Sequence, residues 1–114
     1  IVGRADIGQS IVIQNEIILG FEAAEGTDEL LKRCYEYKNK GDRGLLLKLS
    51  KYNQNLSLDL PTIGINTVKN LFKYDYEGVF IEKNKCVIID KEEVIEYCNA
   101  KNIFIGTVDK IEKK

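Results

Sequence analysis

The chain contains no histidine, no methionine and no tryptophan, and it has a single proline. The absence of histidine argues against Ser-His-Asp and Cys-His catalysis, and against binuclear phosphoesterases that need histidine ligands. The three cysteines, Cys34, Cys86 and Cys98, lie far apart and form no CxxC pair, which nearly excludes a structural zinc site. We therefore expect free, partly buried thiols in a reducing cytoplasm.

Neither sign of charge is in clear excess, because the chain has 17 basic and 18 acidic residues and a net charge of -1. We therefore expect no nucleic-acid partner. The apolar runs are far too short to cross a bilayer, so any membrane contact would be peripheral. The chain begins at Ile1 without a signal-like segment, and we expect it to be a piece of a longer protein.

The first half of the sequence predicts a hairpin, a helix and a strand. Two β-branched runs flank Gln14, Asn15 and Glu16, which is typical of a β-hairpin. Thr27 begins a helical pattern whose buried face carries Leu30, Leu31, Cys34 and Tyr35. A short apolar strand follows at residues 45–49, interrupted by Lys48.

The second half predicts two more helices and a second hairpin. A helix starting at Asn66 or Thr67 would turn Val68, Leu71 and Phe72 inward. Residues 79–82 and 86–89 flank a polar turn and predict the hairpin. Asp90 and Glu93 have the spacing of a capping box for a third helix, which would bury Val94, Ile95 and Cys98 before a last strand at residues 103–108.

Alternating strands and helices with two tight connections predict an α/β fold. At 114 residues the chain has the usual size of one domain. We expect a single compact domain with a mixed sheet, two β-hairpins and about three helices.

Polar and acidic residues concentrate in three short segments at the boundaries between predicted helices and strands. We call these segments phrases: RADIGQS at residues 4–10, EAAEGTD at 22–28 and DLPTIG at 59–64. Carboxylates with hydroxyl and carbonyl neighbours suit a hard cation such as Mg²⁺, and strand-end loops are where α/β sheets carry reactive groups. Each phrase alone also has an ordinary explanation. Thr27 and Asp28 would cap a helix, Asp59 would mark a turn, and Arg4 and Lys48 would be surface charges.

Taken together, in order and spacing, the three phrases resemble the C-terminal domain of LpxI-type pyrophosphatases over essentially the whole chain, residues 1–114. The resemblance implies Mg²⁺-dependent hydrolysis of UDP-2,3-diacylglucosamine to 2,3-diacylglucosamine 1-phosphate and UMP, a step of lipid A biosynthesis. It also implies a cytoplasmic location at the inner face of the inner membrane. Members of the family carry a further N-terminal domain, which this chain lacks.

The resemblance also suggests roles for individual residues. It associates catalysis with Asp59, whose carboxylate would hold Mg²⁺ or activate the attacking water. The candidate metal or surrounding groups are Asp6, Glu25 and Asp28. The candidate phosphate or uridine contacts are Arg4, Gln9, Lys48 and Thr62.

Two other functions stay open at this point. The chain could be a binding module that grips the nucleotide or the acyl-sugar phosphate while the catalytic groups lie on the N-terminal domain. It could also be a platform for a homodimer. Carboxylates clustered at loop ends favour the enzyme, because a pure scaffold has no physical need for them.

Overall fold

The computed structural model describes residues 8–22, 25–50 and 61–109, apart from the side chains of Gly8 and Gln9. In chain order its elements are β1 (Gly8–Gln14), β2 (Ile17–Phe21), α1 (Thr27–Tyr35), β3 (Leu45–Ser50), β4 (Thr62–Ile63), α2 (Ile65–Lys73), β5 (Gly78–Glu82), β6 (Val87–Ile88), α3 (Lys91–Lys101) and β7 (Phe104–Val108). The main sheet has the order β2-β1-β3-β5-β7, and β4 pairs with β6 in a small second sheet. The predicted α/β domain with a mixed sheet and three helices is confirmed.

The first predicted hairpin is confirmed. β1 and β2 pair antiparallel, and Asn15 and Glu16 form the two-residue turn with φ angles of 54° and 65°. Positive φ at both positions is the geometry whose twist matches that of the strands, and asparagine adopts it readily. The register between the two strands shifts between Val12 and Ile13 of β1, which pair with Gly20 and Ile18 of β2. Leu19 lies at this shift.

One face of the main sheet carries the core. Val12, Leu46 and Val79 share that face by register and are fully buried in one cluster. The helices complete the same cluster with Leu30 and Leu31 of α1, Leu71 of α2 and Val94 of α3. All three helices therefore pack against the same side of the sheet.

The second predicted hairpin is wrong. β5 does not pair with β6, because β5 lies between β3 and β7 and is parallel to both. Its burial is nearly continuous, because β5 is an inner strand with a hydrogen-bonded neighbour on each side. With both edges of β5 occupied, the chain leaves the sheet and β6 pairs in parallel with β4 instead.

The predicted starts of α1 and α2 are displaced, and the side-chain caps predicted for α1 and α3 are wrong. Gly26, not Thr27, precedes α1, and Gly64 precedes α2, so that α2 begins at Ile65. Asp90 does precede α3, but it has a left-handed φ of 53° and makes no capping hydrogen bond. A side chain caps only when its backbone is extended enough to aim it at the first turn, and this backbone is not.

Three residues that we predicted to face inward are exposed. Tyr35 of α1 is 49% exposed, Phe72 of α2 is 47% exposed and Ile95 of α3 is 38% exposed. Each follows a buried position directly, so its side chain points about 100° away from the core-facing stripe. The preceding neighbours fill the core as predicted: Cys34, Leu71 and Val94.

The three cysteines are free, as predicted. Cys34 and Cys98 are buried and Cys86 is half-buried, and burial raises the pKa of each thiol above its ordinary value. Across residues 8–22, 25–50 and 61–109, no group of three acidic, thiol or imidazole side chains is arranged to hold a metal. None of the helices in these ranges is long and apolar enough to span a bilayer.

Candidate functional site at the carboxyl edge of the sheet

Chain direction brings two of the polar phrases to one edge of the main sheet. β3, β5 and β7 are parallel, so their carboxyl ends meet there. β1 is antiparallel to β3, and its first residues therefore lie at the same edge, beside the end of β2. The edge carries Ser10, Glu22 and Lys48 from three neighbouring segments, and it is the edge where open α/β sheets bind ligands.

Thr27 joins these segments through its hydroxyl group. Thr27 Oγ1 donates to Glu22 Oε1 at 3.1 Å and accepts from Lys48 Nζ at 2.9 Å. Ser10 Oγ lies 2.9 Å from Thr27 Oγ1. Because the single hydroxyl proton of Thr27 goes to Glu22, Ser10 is the donor in its contact. Thr27 thus fixes the start of α1 against β1 and β3 and holds the ammonium group of Lys48 in place.

Lys48 has no carboxylate partner among the described residues. The two ion pairs in this part of the chain join Arg33 to Glu25 and Arg43 to Asp75. Lys48 is half-buried, and its charge also partly opposes the rise that burial causes in the pKa of the Cys86 thiol. An ammonium group has three donors, so the one hydrogen bond to Thr27 leaves capacity for an anionic ligand.

The start of α1, where Thr27 contacts Lys48, and the start of α2 both carry positive potential. Both α1 and α2 follow a glycine and have no side-chain cap, so amide groups of their first turns remain available. α1 carries Asp28 and Glu29 in its first turn, whereas α2 carries no acidic residue there. The start of α2 is therefore the stronger anion site of the two.

The starts of α1 and α2 are adjacent. Thr67 Oγ1 of α2 donates to Asp28 Oδ1 of α1 over 3.4 Å, a long hydrogen bond. The two helices also pack along their length through Leu30, Leu31 and Leu71 in the common core. An anion at the start of α2 would therefore lie close to the phrase that contains Thr27 and Asp28.

Four of the eight predicted site residues have side chains in the described part of the chain, and four do not. Lys48 and Asp28 lie at the carboxyl edge, and Thr62 is exposed in β4, two residues before the Gly64 that precedes α2. Glu25 is engaged by Arg33, whose Nε donates to Glu25 Oε2 at 2.7 Å. The backbone of Gln9 pairs with Leu49 in the sheet, but its side chain lies outside the described part, as do Arg4, Asp6 and Asp59.

Sequence reasoning assigned no role to Glu82, which ends β5 at this edge. Glu82 is only 3% exposed, and Glu82 Oε1 accepts from the Ser50 backbone N–H at 3.0 Å and from Ser50 Oγ at 2.9 Å. It thereby fixes the last residue of β3. A glutamate that closes an otherwise apolar strand was the signal that could have identified it.

The donor chemistry of this edge fits Mg²⁺ in kind. Glu22 and Asp28 offer carboxylate oxygens, and Mg²⁺ in proteins is commonly held by one or two carboxylates together with substrate phosphates. Glu25 fits less well, because Arg33 already compensates its charge. Asp28 is therefore the strongest of the described residues predicted to lie at a metal.

Two comparisons with known proteins bear on this site. Residues 1–106 match the family model described as the LpxI C-terminal domain. The chain belongs to this family. It is also 33% identical, over 118 aligned residues, to the protein named UDP-2,3-diacylglucosamine pyrophosphatase LpxI from Caulobacter vibrioides. The match covers 98% of the chain and 42% of that LpxI protein, so the chain spans less than half the length of its relative.

Proposed function

We propose that this chain is the C-terminal domain of an LpxI-type enzyme that hydrolyses UDP-2,3-diacylglucosamine in lipid A biosynthesis. The products would be 2,3-diacylglucosamine 1-phosphate and UMP. The observation that carries the proposal is the ammonium group of Lys48, which has no carboxylate partner in the described part of the chain and lies at the sheet edge that also carries the start of α1. A diphosphate is the part of this substrate that such a site would bind.

The side chains at this edge would bind and orient the diphosphate. Lys48 would contact a phosphate oxygen, and its position is fixed by Thr27, which Ser10 and Glu22 hold in turn. Amide groups at the start of α2 would contact a second oxygen. A preorganised positive site of this kind stabilises the charge that develops when water attacks the α-phosphorus.

Asp59 would take the proton of the attacking water or orient it. Bound Mg²⁺ would supply charge neutralisation at the phosphate oxygens, with Asp6, Asp28 and Glu25 as the candidate residues near it. Thr62, Arg4 and Gln9 would add contacts to phosphate or uridine. These assignments rest on the family resemblance together with the position of Asp28 beside α2.

The rest of the family protein would complete the site. Because the chain corresponds to 42% of its relative, the acyl chains and part of the nucleotide would be held by the N-terminal domain. We place the protein in the cytoplasm, in peripheral contact with the inner membrane that supplies the lipid substrate.

A binding module is the second candidate. It is favoured by the pairing of Glu25 with Arg33 and by the lack of a three-carboxylate cluster among residues 8–22, 25–50 and 61–109. In that case the site at Lys48 would bind the diphosphate, and the N-terminal domain would supply the catalytic groups.

Replacing Lys48 tests the phosphate contact. In the protein that carries this chain together with its N-terminal domain, Lys48→Met should lower UMP release by roughly 10- to 100-fold, because a charge-assisted hydrogen bond contributes about 1.5 to 3 kcal/mol. The assay follows UMP release from UDP-2,3-diacylglucosamine with Mg²⁺, and again after the metal is chelated.

The matched control is Lys32→Met, an exposed lysine in the last turn of α1, which should leave the rate unchanged. Equal rates for the Lys48 variant and wild type would contradict the phosphate contact. No UMP release by the folded wild-type protein would contradict the enzymatic function itself.

A further inference from the structure

The pairing between β3 and β5 ends beside Lys48. Lys48 is the last residue of β3 that pairs with β5, and it lies opposite Ile81. β3 nevertheless continues to Ser50, which pairs with Gly8 of β1 on the other side. The end of β3 therefore has a neighbouring strand ladder on one side only, directly after the lysine of the candidate site.

The side chain of Glu82 replaces the missing part of this ladder. If the parallel pairing continued, the Ser50 N–H would donate to the Glu82 backbone oxygen. That oxygen accepts instead from Lys85 N at 3.0 Å, in the turn that follows β5. Glu82 Oε1 takes its place, because it accepts from the Ser50 N–H at 3.0 Å and from Ser50 Oγ at 2.9 Å. The carboxylate thus extends the connection between the two strands beyond Lys48.

A carboxylate at this position is costly for the fold. Glu82 is 3% exposed, and the two ion pairs among the described residues involve other side chains. A buried carboxylate loses its hydration, and two hydrogen bonds from neutral groups compensate that loss only in part. Glutamate is almost never fully buried unless it has a partner. Residues that break such a rule occur mainly at functional or strained sites, and Glu82 lies at the edge that carries the candidate site.

We propose that Glu82 is a positioning residue for the diphosphate site, and that it acts through Ser50 on the backbone that carries Lys48. This inference rests on the proposed function. The ammonium group of Lys48 contacts Thr27 Oγ1 at 2.9 Å, and a displacement of β3 by about 1 Å would break that hydrogen bond. Because β1 and Glu82 hold the strand from its two sides, the ammonium group is in place before a phosphate oxygen binds.

The length of the Glu82 side chain, and not its charge, is what this role requires. Aspartate is shorter by one methylene group, about 1.5 Å, so Glu82→Asp keeps the charge and takes the carboxylate out of hydrogen-bonding distance of Ser50. Glutamine has the same length as glutamate, and its amide oxygen can accept the same two hydrogen bonds. Glu82→Gln therefore keeps the contact and removes the charge. The two variants separate positioning from a direct electrostatic effect on a ligand or on Mg²⁺.

Titration of this chain and its variants with UDP and Mg²⁺, followed through amide chemical shifts, tests the role of Glu82. Glu82→Gln should bind UDP within about twofold of wild type, and Glu82→Asp should bind roughly threefold to tenfold more weakly, the effect of one lost hydrogen bond. In the free protein, Glu82→Asp alone should speed solvent exchange of the Ser50 amide by about tenfold. It alone should also weaken the nuclear Overhauser contact between the side chains of Lys48 and Thr27.

The matched control is Glu77→Asp, at the other end of β5. Glu77 Oε2 accepts from the Arg43 N–H at 3.0 Å, so this side chain also holds a backbone amide beside β3. The shorter side chain should release the Arg43 amide and leave UDP binding unchanged, because Lys48 and Thr27 lie at the opposite edge of the sheet.

Weaker UDP binding by Glu82→Gln would overturn the proposal, since the charge would then be required. Wild-type binding by Glu82→Asp, with an unchanged contact between Lys48 and Thr27, would overturn it as well. If wild type itself does not bind UDP, the proposed function fails. The contact between Lys48 and Thr27 in the free variants then still decides whether Glu82 positions the lysine.

Discussion

Asp59→Asn should reduce UMP release by ~10²- to 10⁴-fold, which is the usual effect of losing a general acid or base. The substitution keeps the size of the side chain and removes only its charge. If the carboxylate accepts the proton of the attacking water, the Michaelis constant should change little while the turnover number falls. The measurement is steady-state UMP release by the protein that carries both domains.

Asp75→Asn is the control for this experiment. Asp75 is exposed at the end of α2, where its carboxylate pairs with Arg43 over 3.6 Å. Its φ of 62° is a conformation that asparagine also tolerates, so this variant should keep the wild-type rate. A rate for Asp59→Asn within twofold or so of that control would mean that catalysis lies on other residues.

Tyr76→Ala should destabilise the domain by about 3 to 5 kcal/mol, the cost of removing a large buried side chain. Tyr76 is fully buried, and its hydroxyl group donates to the backbone oxygen of Leu31 at 2.8 Å. Burial raises the pKa of the Tyr76 phenol far above its ordinary value, so the group stays a neutral donor. The residue thereby joins α1 to the segment that enters β5.

The loss should appear in thermal unfolding. The midpoint should fall by roughly 12 to 20 °C at ~4 °C per kcal/mol. Tyr37→Ala is the control, because Tyr37 is 55% exposed and should contribute less than about 0.5 kcal/mol. A similar small shift for both tyrosine variants would show that Tyr76 does not hold α1 in place.

Local signals were sufficient to predict much of the fold. The Asn15 turn and the apolar runs around it predicted the first hairpin, and the spacing of Leu30, Leu31 and Cys34 predicted α1 and its buried face. These features depend on neighbours within one turn or one strand. The side-chain cap predicted at Asp90 was wrong, because a cap also depends on the backbone angles of the capping residue. Asp90 has a left-handed φ of 53° and makes no capping hydrogen bond.

The second hairpin could not be predicted from its own residues. A polar turn between two apolar runs reads as a hairpin, yet β5 finds parallel partners in β3 and β7, from distant parts of the chain. Such pairing is a property of the whole sheet, and the turn signal gives no information about it. The unbroken apolar run of Val79, Phe80 and Ile81 is compatible with an inner parallel strand, but it does not distinguish that arrangement from a hairpin.

The roles that we assigned to the site residues stay predictions. In the structure, the phrases around Ser10 and Thr27 meet at one edge of the sheet, where Lys48 contacts Thr27. The sequence could not show that Thr27 holds the lysine, because that contact joins residues on different elements. Nor could it show that Arg33 engages Glu25, a pairing that depends on how α1 lies beside the end of β2.

Binding of UDP with Mg²⁺ to this chain, followed residue by residue through backbone amide chemical shifts, tests most directly whether the carboxyl edge binds the diphosphate. We predict that the amide signals of Thr27, Lys48 and Ile65 shift together as UDP is raised to about 10 mM, tenfold above a dissociation constant of about 1 mM. Signals from the Asn15 turn at the opposite edge should stay in place. Shifts confined to that opposite edge, or no shift at Lys48 and Ile65, would contradict the account.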